Sequence, residues 1–258
     1  MKFDLSTKTA IVTGGGSGIG RAISKALAGQ GAQVHIFDLE AERARGTVDE
    51  IERIGGKGQE HSINVAKQSE VREAVARIAR DNDLHILVNN AGIAHIGDVE
   101  NTYEADMDRI YAVNIKGVYN CIHCAIPHMK ENGGVILNMA SIASSVGIND
   151  RFAYSASKGA VLTMTYSVAK DYLEYKVRCN SISPGRVHTP FVDGYLKANF
   201  PGKEAEMFDK LSKTQPIGRM AQPREVADLV VYLCSDEASF ITGTDFPIDG
   251  GFIKLNGD

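Results

Sequence analysis

The sequence predicts an α/β protein with a doubly wound Rossmann fold, in which helices cover both faces of a parallel sheet of about seven strands. Short apolar segments rich in β-branched residues alternate with longer segments of helical periodicity, which is typical of parallel α/β folds. The apolar segments are nearly continuous, as expected for strands buried on both faces. A glycine-rich turn, TGGGSGIG (13–20), follows the first segment directly.

Seven apolar segments are predicted strands. They are TAIVT (9–13), AQVHIFD (32–38), QEHSINV (59–65), LHILVNN (84–90), GVILNMAS (134–141), VRCNSIS (177–183) and TDFPID (244–249). Helical segments lie between them, for example IGRAISKALAGQG, SEVREAVARIARD and REVADLVVYLCSD. Because strands and helices alternate throughout, we expect right-handed crossovers between parallel strands.

The length of 258 residues suits one α/β domain better than two, so residues 1–258 are expected to form a single domain. One long irregular stretch, from Pro184 to about Pro223, carries proline, glycine and many charges and follows a strand. Segments after the carboxyl ends of strands form the ligand crevice of an open α/β sheet. We therefore expect a substrate lid over about residues 185–223.

Composition excludes several classes of protein. The net charge of −4 does not favour binding to nucleic acid or to an anionic membrane. No segment has the roughly 18 consecutive apolar residues of a membrane span, and MKFDLSTKTAIVTG does not have the pattern of a signal peptide. Four scattered cysteines are typical of a reduced cytoplasmic protein.

The CIHC segment, with Cys121 and Cys124, lies inside a helical pattern. A CxxC pair can bind metal or perform redox chemistry, but no second pair completes a zinc site here. We expect buried helix thiols and no metal.

The glycine-rich turn predicts a dinucleotide cradle. Gly14, Gly18 and Gly20 would let the backbone turn tightly and approach a pyrophosphate closely. A helix starting near Ile19 would direct its free N–H groups and the positive end of its dipole at that anion. Any tight strand-to-helix turn can use glycine, so the prediction depends on the turn's place after an apolar strand and on the signals downstream.

Asp38 ends the second predicted strand, 18 positions after Gly20. A carboxylate there can accept both adenosine ribose hydroxyls and repels a 2′-phosphate. The alternative is a local role as a cap for a helix beginning near Glu40. No basic residue stands at position 39 or within the glycine turn before Arg21, so the expected cofactor is NAD.

Tyr154 and Lys158 stand four residues apart in YSASK, a spacing that places them on one helix face. A free phenol has a pKa of about 10, and an ammonium group within roughly 4–6 Å lowers it. Lys158 is therefore expected to favour the Tyr154 phenolate, so that Tyr154 can exchange a proton with an alcohol.

Together these motifs resemble the short-chain dehydrogenase/reductase family over nearly the whole chain. The resemblance is carried by TGGGSGIG, Asp38, NNAG (89–92), Asn114 in YAVNIKG, Ser141 in NMAS, YSASK (154–158), PGRVHTP (184–190) and DGG (249–251). One departure is Asn64, where the family has aspartate beside the adenine. Asparagine keeps an acceptor and adds a donor, so we expect adenine binding to survive.

The resemblance implies a role for each motif residue. Tyr154 would be the proton donor and acceptor, Lys158 would also bind the nicotinamide ribose, Ser141 would orient the substrate oxygen, and Asn114 would hold a water of the proton relay. The implied cofactor-binding residues are Gly14, Ser17, Gly18, Ile19, Gly20, Asp38, Asn64, Val65, Asn90, Ala91, Gly92, Tyr154, Lys158, Pro184, Gly185, Val187 and Thr189. The family resemblance also implies a homotetramer.

The substrate is less clearly indicated. Arg151, three residues before Tyr154, and Arg186, at the start of the lid, could bind a carboxylate through their planar guanidinium groups. Alternatively, each is solvated or forms a structural salt bridge. The lid resembles those of dehydrogenases of sugars and 2-keto-3-deoxy sugar acids, of the L-fuconate and L-rhamnonate type.

The lid region also offers polar groups suited to a polyol, at Asn149, Asp150, Asp193 and Tyr195. The predicted substrate-binding residues are Ser141, Asn149, Arg151, Tyr154 and Arg186.

Three functions stay open at this point. The first is an NAD-dependent oxidoreductase that transfers a hydride between nicotinamide and a secondary alcohol or ketone of a sugar acid or sugar. The second is a 3-oxoacyl or other small carbonyl reductase, although Asp38 argues against its NADPH-linked forms. The third is a non-catalytic dinucleotide-binding protein.

Overall fold

A computed structural model describes residues 2–255 and contains a seven-stranded parallel sheet in the order β3-β2-β1-β4-β5-β6-β7. The strands are β1 (Thr9–Thr13), β2 (Gln33–Asp38), β3 (Lys57–Ser62), β4 (Ile86–Asn89), β5 (Gly134–Met139), β6 (Val177–Pro184) and β7 (Asp245–Ile248). The doubly wound fold and its seven strands are thereby confirmed.

Ten α-helices connect and cover these strands in the described part of the chain. They are α1 (Gly18–Gly29), α2 (Ala41–Arg53), α3 (Gln68–Asp81), α4 (Glu104–Ile110), α5 (Gly117–Met129), α6 (Phe152–Asp171), α7 (Pro190–Asn199), α8 (Glu204–Ser212), α9 (Pro223–Cys234) and α10 (Phe252–Leu255). Among residues 2–255, no helix has the length and apolar character needed to cross a membrane.

Two hydrophobic clusters cover the two faces of the sheet, and neighbouring β1 residues point into different ones. Val12 packs in the cluster that includes α1 and α9 residues, whereas Ile11 packs in the cluster that includes α3 and α5 residues. Both side chains are fully buried, and burying each contributes roughly 1.5–3 kcal/mol. This two-sided burial explains why the three central positions of the strand, 10–12, are all apolar.

The predicted bounds of β3 are wrong by two to three residues. The strand spans Lys57–Ser62 rather than 59–65. It pairs with β2, and its end is set by Asn64. The Asn64 side chain accepts the Ala66 N–H at 3.0 Å, and its own N–H donates to Glu70 at 2.9 Å. This turn directs the chain into α3.

The stretch predicted to be irregular contains two helices, α7 and α8. Helix α7 begins at Pro190 directly after Thr189, and proline is favoured at the first helical position because its missing N–H and fixed φ suit it. The many charged residues lie on short helices with little buried surface, so the charges did not mark a loop. Cys121 and Cys124 are buried in α5 and burial raises the pKa of both thiols, as predicted for helix thiols.

Candidate active site

The glycine turn is packed so closely that a side chain at Gly14 or Gly20 would clash with neighbouring backbone atoms. Gly14 and Gly18 have positive φ angles of 63° and 51°, which favour glycine. A Cβ on Gly14 would lie 2.9 Å from the Ala91 Cα, and one on Gly20 would overlap the Gly14 carbonyl oxygen. Helix α1 starts here, and Ser17 makes no side-chain cap bond within residues 2–255. The first backbone N–H groups of α1, including those of Ile19 and Gly20, are therefore suited to binding a dinucleotide pyrophosphate.

Asn90 anchors the turn to the end of β4. Its side-chain amide donates to the carbonyls of Thr13 and Gly14 at 3.0 and 3.2 Å, and the Thr13 hydroxyl accepts the N–H groups of Asn90 and Ala91. A Cβ on Gly92 would lie 3.4 Å from the Asn114 Oδ1. The NNAG segment thus connects the glycine turn with the predicted catalytic residues. Sequence reasoning missed Thr13, whose only signal is a polar residue ending a buried strand.

Asp38 contacts two backbone amides. One carboxylate oxygen accepts the Gly16 N–H at 3.0 Å and the other accepts the Glu40 N–H at 3.1 Å. The contact at Glu40 is a local turn before α2 rather than the helix cap that the alternative interpretation predicted, because Glu40 itself is the N-cap residue of α2. Each carboxylate oxygen keeps a further lone pair, so a ribose hydroxyl can still be accepted.

Asn64 and Val65 lie beyond the end of β3. The Asn64 Oδ1 is engaged in its local turn, so the acceptor expected for adenine is partly used, and the amide nitrogen is the group left to donate. The Val65 carbonyl accepts the Asn120 side chain at 2.8 Å, which ties this segment to α5.

The segment after β6 approaches the glycine turn from the other side. A Cβ on Gly18 would lie 3.5 Å from the Thr189 side chain. Pro184 ends β6, and a Cβ on Gly185 would overlap the Gln215 side chain. Val187 is buried. The glycine turn and the start of the predicted lid therefore face one another.

Lys158 and Ser141 lie where α6 packs on the end of β5. The buried Lys158 ammonium donates to the Met139 carbonyl at 2.6 Å and lies 5.7 Å from the centre of the Tyr154 ring. Burial lowers the pKa of Lys158 to about 8. Ser141, two residues after Met139, is 7% exposed. The predicted acid–base pair and the serine are thus brought together.

The expected lowering of the Tyr154 pKa by Lys158 is wrong for this structure. Burial raises the pKa of Tyr154, while hydrogen bonding to Ser141 and the charge of Arg151 oppose that shift in part. The physical reason is that a phenolate loses its hydration when buried, and the Lys158 ammonium is directed at the Met139 carbonyl.

Asn114 lies in a π-helical turn, Tyr111–Lys116, between α4 and α5. It is 1% exposed. Its side chain bonds both the N–H and the carbonyl of Ile93 at 2.9 Å and donates to Ser157 at 3.0 Å. Ser157 donates to the Tyr154 carbonyl at 2.7 Å. Such turns occur often at functional sites. Sequence reasoning missed both the π-helical turn and Ser157, and the relay role of Asn114 stays a prediction.

Two arginines lie close enough for their charges to interact. Burial lowers the pKa of Arg186 most, and the charge of Arg151 lowers it further. The charge of Arg151 also opposes the burial that raises the Tyr154 pKa. The Arg151 guanidinium donates to the Asp150 carbonyl at 2.8 Å. The Arg186 Nε donates to Thr214 at 2.9 Å. The Arg186 backbone N–H donates to the Gln215 side-chain oxygen at 3.1 Å. Among residues 2–255, neither arginine pairs with a carboxylate, so the salt-bridge alternative does not account for them.

The Arg151 backbone is held by the loop after β4. Gly97 N–H donates to the Asp150 carbonyl at 3.0 Å, and Phe152 N–H donates to the Gly97 carbonyl at 3.1 Å. The remaining polar groups predicted for the substrate are less well placed. Asn149 is exposed, and Asp193 pairs with His188 at 2.8 Å.

A cleft of about 470 Å³ opens between the loop after β4 and α7. Its lining is Ala94, His95, Ile96, Arg109, Phe191, Gly194 and Tyr195. Sequence reasoning named only Tyr195 here, because the other residues carry no motif. Among residues 2–255, no group of three or more histidine, cysteine, aspartate or glutamate side chains could hold a metal ion.

Comparison with known proteins extends along the whole site. A family model described as Enoyl-(Acyl carrier protein) reductase matches residues 14–253. A cyclohexanol dehydrogenase from Acinetobacter sp. is 38% identical, with 98% of this chain and 97% of that protein covered. A 2-keto-3-deoxy-L-fuconate dehydrogenase from Xanthomonas campestris is 35% identical, with 96% of this chain and 81% of that protein covered.

Among solved structures, L-sorbose reductase from Gluconobacter frateurii, complexed with NADPH and L-sorbose, has a TM-score of 0.94 at 26% identity. The match covers 99% of this chain and all of that one. The chain is therefore similar over its length to oxidoreductases of alcohols and sugars.

Proposed function

This chain belongs to the short-chain dehydrogenase/reductase family, whose members act on alcohol or ketone groups with a nicotinamide dinucleotide, and we propose that it is an NAD-dependent dehydrogenase of a sugar acid. The substrate class that fits best is a 2-keto-3-deoxy aldonate or a related polyhydroxy acid. Tyr154, Ser141 and Lys158 would carry the proton chemistry at one secondary alcohol of the substrate.

The proximity of Arg151 to Tyr154 on one side and to Arg186 on the other is the observation that carries this proposal. Arg186 is half-buried and burial lowers its pKa, while within the described residues neither guanidinium has an anionic partner. Holding two unpaired cations close together is unfavourable. A substrate carboxylate would relieve that repulsion and could accept two parallel hydrogen bonds from one planar guanidinium.

Side chains of the protein would position the substrate oxygen and transfer its proton. Ser141 would hold the substrate oxygen next to the Tyr154 hydroxyl, and Tyr154 would accept the alcohol proton during oxidation or donate it during reduction. Because burial raises the Tyr154 pKa, the resting hydroxyl is in its donor form, which suits reduction. In oxidation, Tyr154 would first pass its own proton to the relay predicted at Asn114 and would then accept the alcohol proton as the phenolate. When bound, NAD supplies the nicotinamide carbon that accepts the hydride. Residues from about 185 to 223 would close over the substrate as a lid.

Asp38 supports NAD rather than NADP. Its carboxylate lies against the Gly16 amide at the start of α1, and its negative charge there would repel a 2′-phosphate. The comparison with an NADPH-bound sugar reductase makes a direct measurement necessary.

A second candidate is a neutral, apolar secondary alcohol. Ile96 and Phe191 are 45% and 62% exposed and both line the cleft, so they offer an apolar surface to an alicyclic substrate. The cyclohexanol dehydrogenase relative has a substrate of this kind. This candidate does not explain the unpaired arginines.

A substrate panel separates these candidates. NADH formation would be measured with 2-keto-3-deoxy sugar acids, aldonates, neutral sugars and cyclohexanol, each with NAD and with NADP, and reduction would be measured with a 3-oxoacyl thioester. We expect the highest kcat/KM for a sugar acid with NAD. A higher value for cyclohexanol or for the thioester would replace the sugar-acid proposal, and no turnover at all would favour a non-catalytic protein.

We also propose a homotetramer in the cytoplasm. The outer faces of α5 and α6 expose Tyr119, Phe152 and Tyr166, which a second subunit could cover. The four cysteines are free and buried, as in reduced proteins. Sedimentation at micromolar concentration tests the assembly, and a monomer there would contradict it.

A further inference from the structure

We propose that Glu40 and Arg43 form a second determinant of dinucleotide choice, in which Glu40 keeps Arg43 from binding a 2′-phosphate. The inference rests on the proposed function only in taking NAD as the preferred cofactor. It assigns a role to two residues in the first turn of α2, outside the glycine turn and Asp38.

The start of α2 lies directly against the glycine turn. A Cβ placed on Gly16 would be 2.8 Å from the Arg43 Cβ and 2.8 Å from an Asp38 carboxylate oxygen. Arg43 and Asp38 therefore adjoin the same point of the turn. The long arginine side chain starts within reach of any group that is bound at the Asp38 carboxylate.

Glu40 holds that side chain in an exposed ion pair. The Arg43 Nε lies 2.9 Å from a Glu40 carboxylate oxygen, and both side chains are more than half exposed. Exposed pairs contribute little to stability because water and salt screen them. The Arg43 guanidinium stays at the surface, where a bound 2′-phosphate would have to compete with Glu40 for it.

The neighbouring Arg45 shows why Arg43 is the relevant cation. Arg45 lies between Asp49, Glu52 and Glu60, at 2.9, 3.9 and 3.3 Å, and its pKa is raised by those contacts. Three carboxylates hold it away from the turn. Arg43 has one short, exposed pair within residues 2–255.

Asp38, Arg43 and Glu40 would each affect the binding of a 2′-phosphate in a different way. Asp38 would accept the ribose hydroxyl that carries this phosphate in NADP, so its charge repels the phosphate directly. Arg43 could bind the phosphate through its guanidinium, but Glu40 occupies that group. Removing Glu40 alone would leave Arg43 free to turn to Asp38, so the effect of Glu40 should be visible only when Asp38 is neutralised.

Binding of adenosine fragments tests this without turnover. Calorimetry would give Kd values for 5′-ADP and 2′,5′-ADP with the full-length wild type, Asp38→Ala, Asp38→Ala/Glu40→Gln, and the triple variant that adds Arg43→Ala. The matched control is Asp38→Ala/Glu42→Gln. Glu42 is an exposed carboxylate in the same helical turn, without an ion pair in the described part of the chain. Binding of 5′-ADP shows that each variant keeps a folded site.

In the Asp38→Ala background, Glu40→Gln should tighten 2′,5′-ADP by about fivefold, the change that about 1 kcal/mol produces, at the upper end for an exposed pair. Glu42→Gln should change it by less than about twofold, as expected for a screened charge, and Arg43→Ala should remove the gain. Equal effects of Glu40→Gln and Glu42→Gln, or a gain that survives Arg43→Ala, would overturn the inference. A wild type that prefers 2′,5′-ADP to 5′-ADP would instead refute the NAD assignment.

Discussion

The glycine turn and the lid differ in how their glycines are packed. In the turn, a Cβ on Gly14, Gly16 or Gly20 would lie within 3 Å of other atoms. In the lid, a Cβ on Gly194 or Gly202 would have no described atom within 4 Å. These three positions of the turn are thus closely packed, whereas the two glycines in and after α7 face open space; Gly185, where the lid leaves β6, is packed like the turn. We therefore expect the closely packed turn to govern cofactor binding and the open lid to govern substrate choice.

The sharpest test of this contrast is one methyl group added in each region. Gly20→Ala would place a Cβ on the Gly14 carbonyl oxygen, so we expect loss of dinucleotide binding and a lower Tm. Gly194→Ala adds a methyl group to an exposed position of α7 and should be neutral or stabilise by up to about 1 kcal/mol. Calorimetry with NAD and thermal unfolding measure both. Equal effects of Gly20→Ala and Gly194→Ala on NAD binding and Tm would contradict the difference in packing between the turn and the lid.

The next largest effect is expected at Tyr154, which serves both the cofactor side and the substrate side of the proposed site. Tyr154→Phe removes the transferable proton and keeps the ring, so kcat should fall by at least about 10²-fold while the Kd for NAD changes little. Tyr166→Phe, a half-exposed tyrosine of the same helix, is the matched control and should keep its kcat. An active Tyr154→Phe enzyme would mean that another group carries the proton.

On the substrate side, Arg151→Ala should act on charge rather than on shape. A charge-assisted hydrogen bond is worth roughly 1.5–3 kcal/mol, so kcat/KM for a sugar acid should fall about 10- to 150-fold. A neutral sugar of the same stereochemistry should be little affected, and Arg151→Lys should recover only part because an ammonium lacks the planar fork. Equal losses for acidic and neutral substrates would make Arg151 a loop-shaping residue.

A last prediction, on stability rather than activity, concerns two histidines on the cofactor side of the sheet. The His35 Nδ1 lies 3.0 Å from the His61 Nε2 across β2 and β3, and Gln33 contacts the other His35 nitrogen at 3.4 Å. Burial and the neighbouring His61 lower the pKa of His35 to about 4. Burial and the charge of Arg77 also lower the pKa of His61, with Glu60 opposing.

The unfolded chain therefore binds a proton below about pH 6.5 that the folded His35 does not. The unfolding free energy should fall as pH falls from 6.5 toward 4, by about 1.4 kcal/mol per pH unit from this group. His35→Leu should flatten that slope in urea unfolding between about pH 6.5 and 5.5. His123→Leu, at an exposed position of α5, should leave it unchanged. An unaltered slope in His35→Leu would show that the pair does not set acid stability.

The same contrast explains what the sequence could predict. The seven strands and the glycine turn follow from local patterns, because burial on both faces leaves an apolar run and tight turns require glycine. The helices of the lid were missed because α7 and α8 are short and each buries one residue, Leu196 and Ser212. Proline and charge, which suggested a loop, suit the ends of short exposed helices.

The details of the candidate site depend on contacts between distant segments. Thr13, Ser157, Thr214 and Gln215 position the turn, α6 and Arg186 through hydrogen bonds to residues far along the chain, and a single sequence does not reveal such pairs. The direction of the Tyr154 pKa was also mispredicted. Spacing indicated that Lys158 was near, but not that burial would dominate or that Met139 would take the ammonium.

The ratio of kcat/KM for a sugar acid to that for its matched neutral sugar, measured with the wild type and NAD, tests the central claim most directly. Carboxylate binding by Arg151 or Arg186 predicts a ratio of at least about 10, since one charge-assisted bond of roughly 1.5 kcal/mol suffices for a factor of that size. A ratio near or below one would contradict carboxylate recognition, and two neighbouring arginines without a carboxylate partner among residues 2–255 would need another explanation.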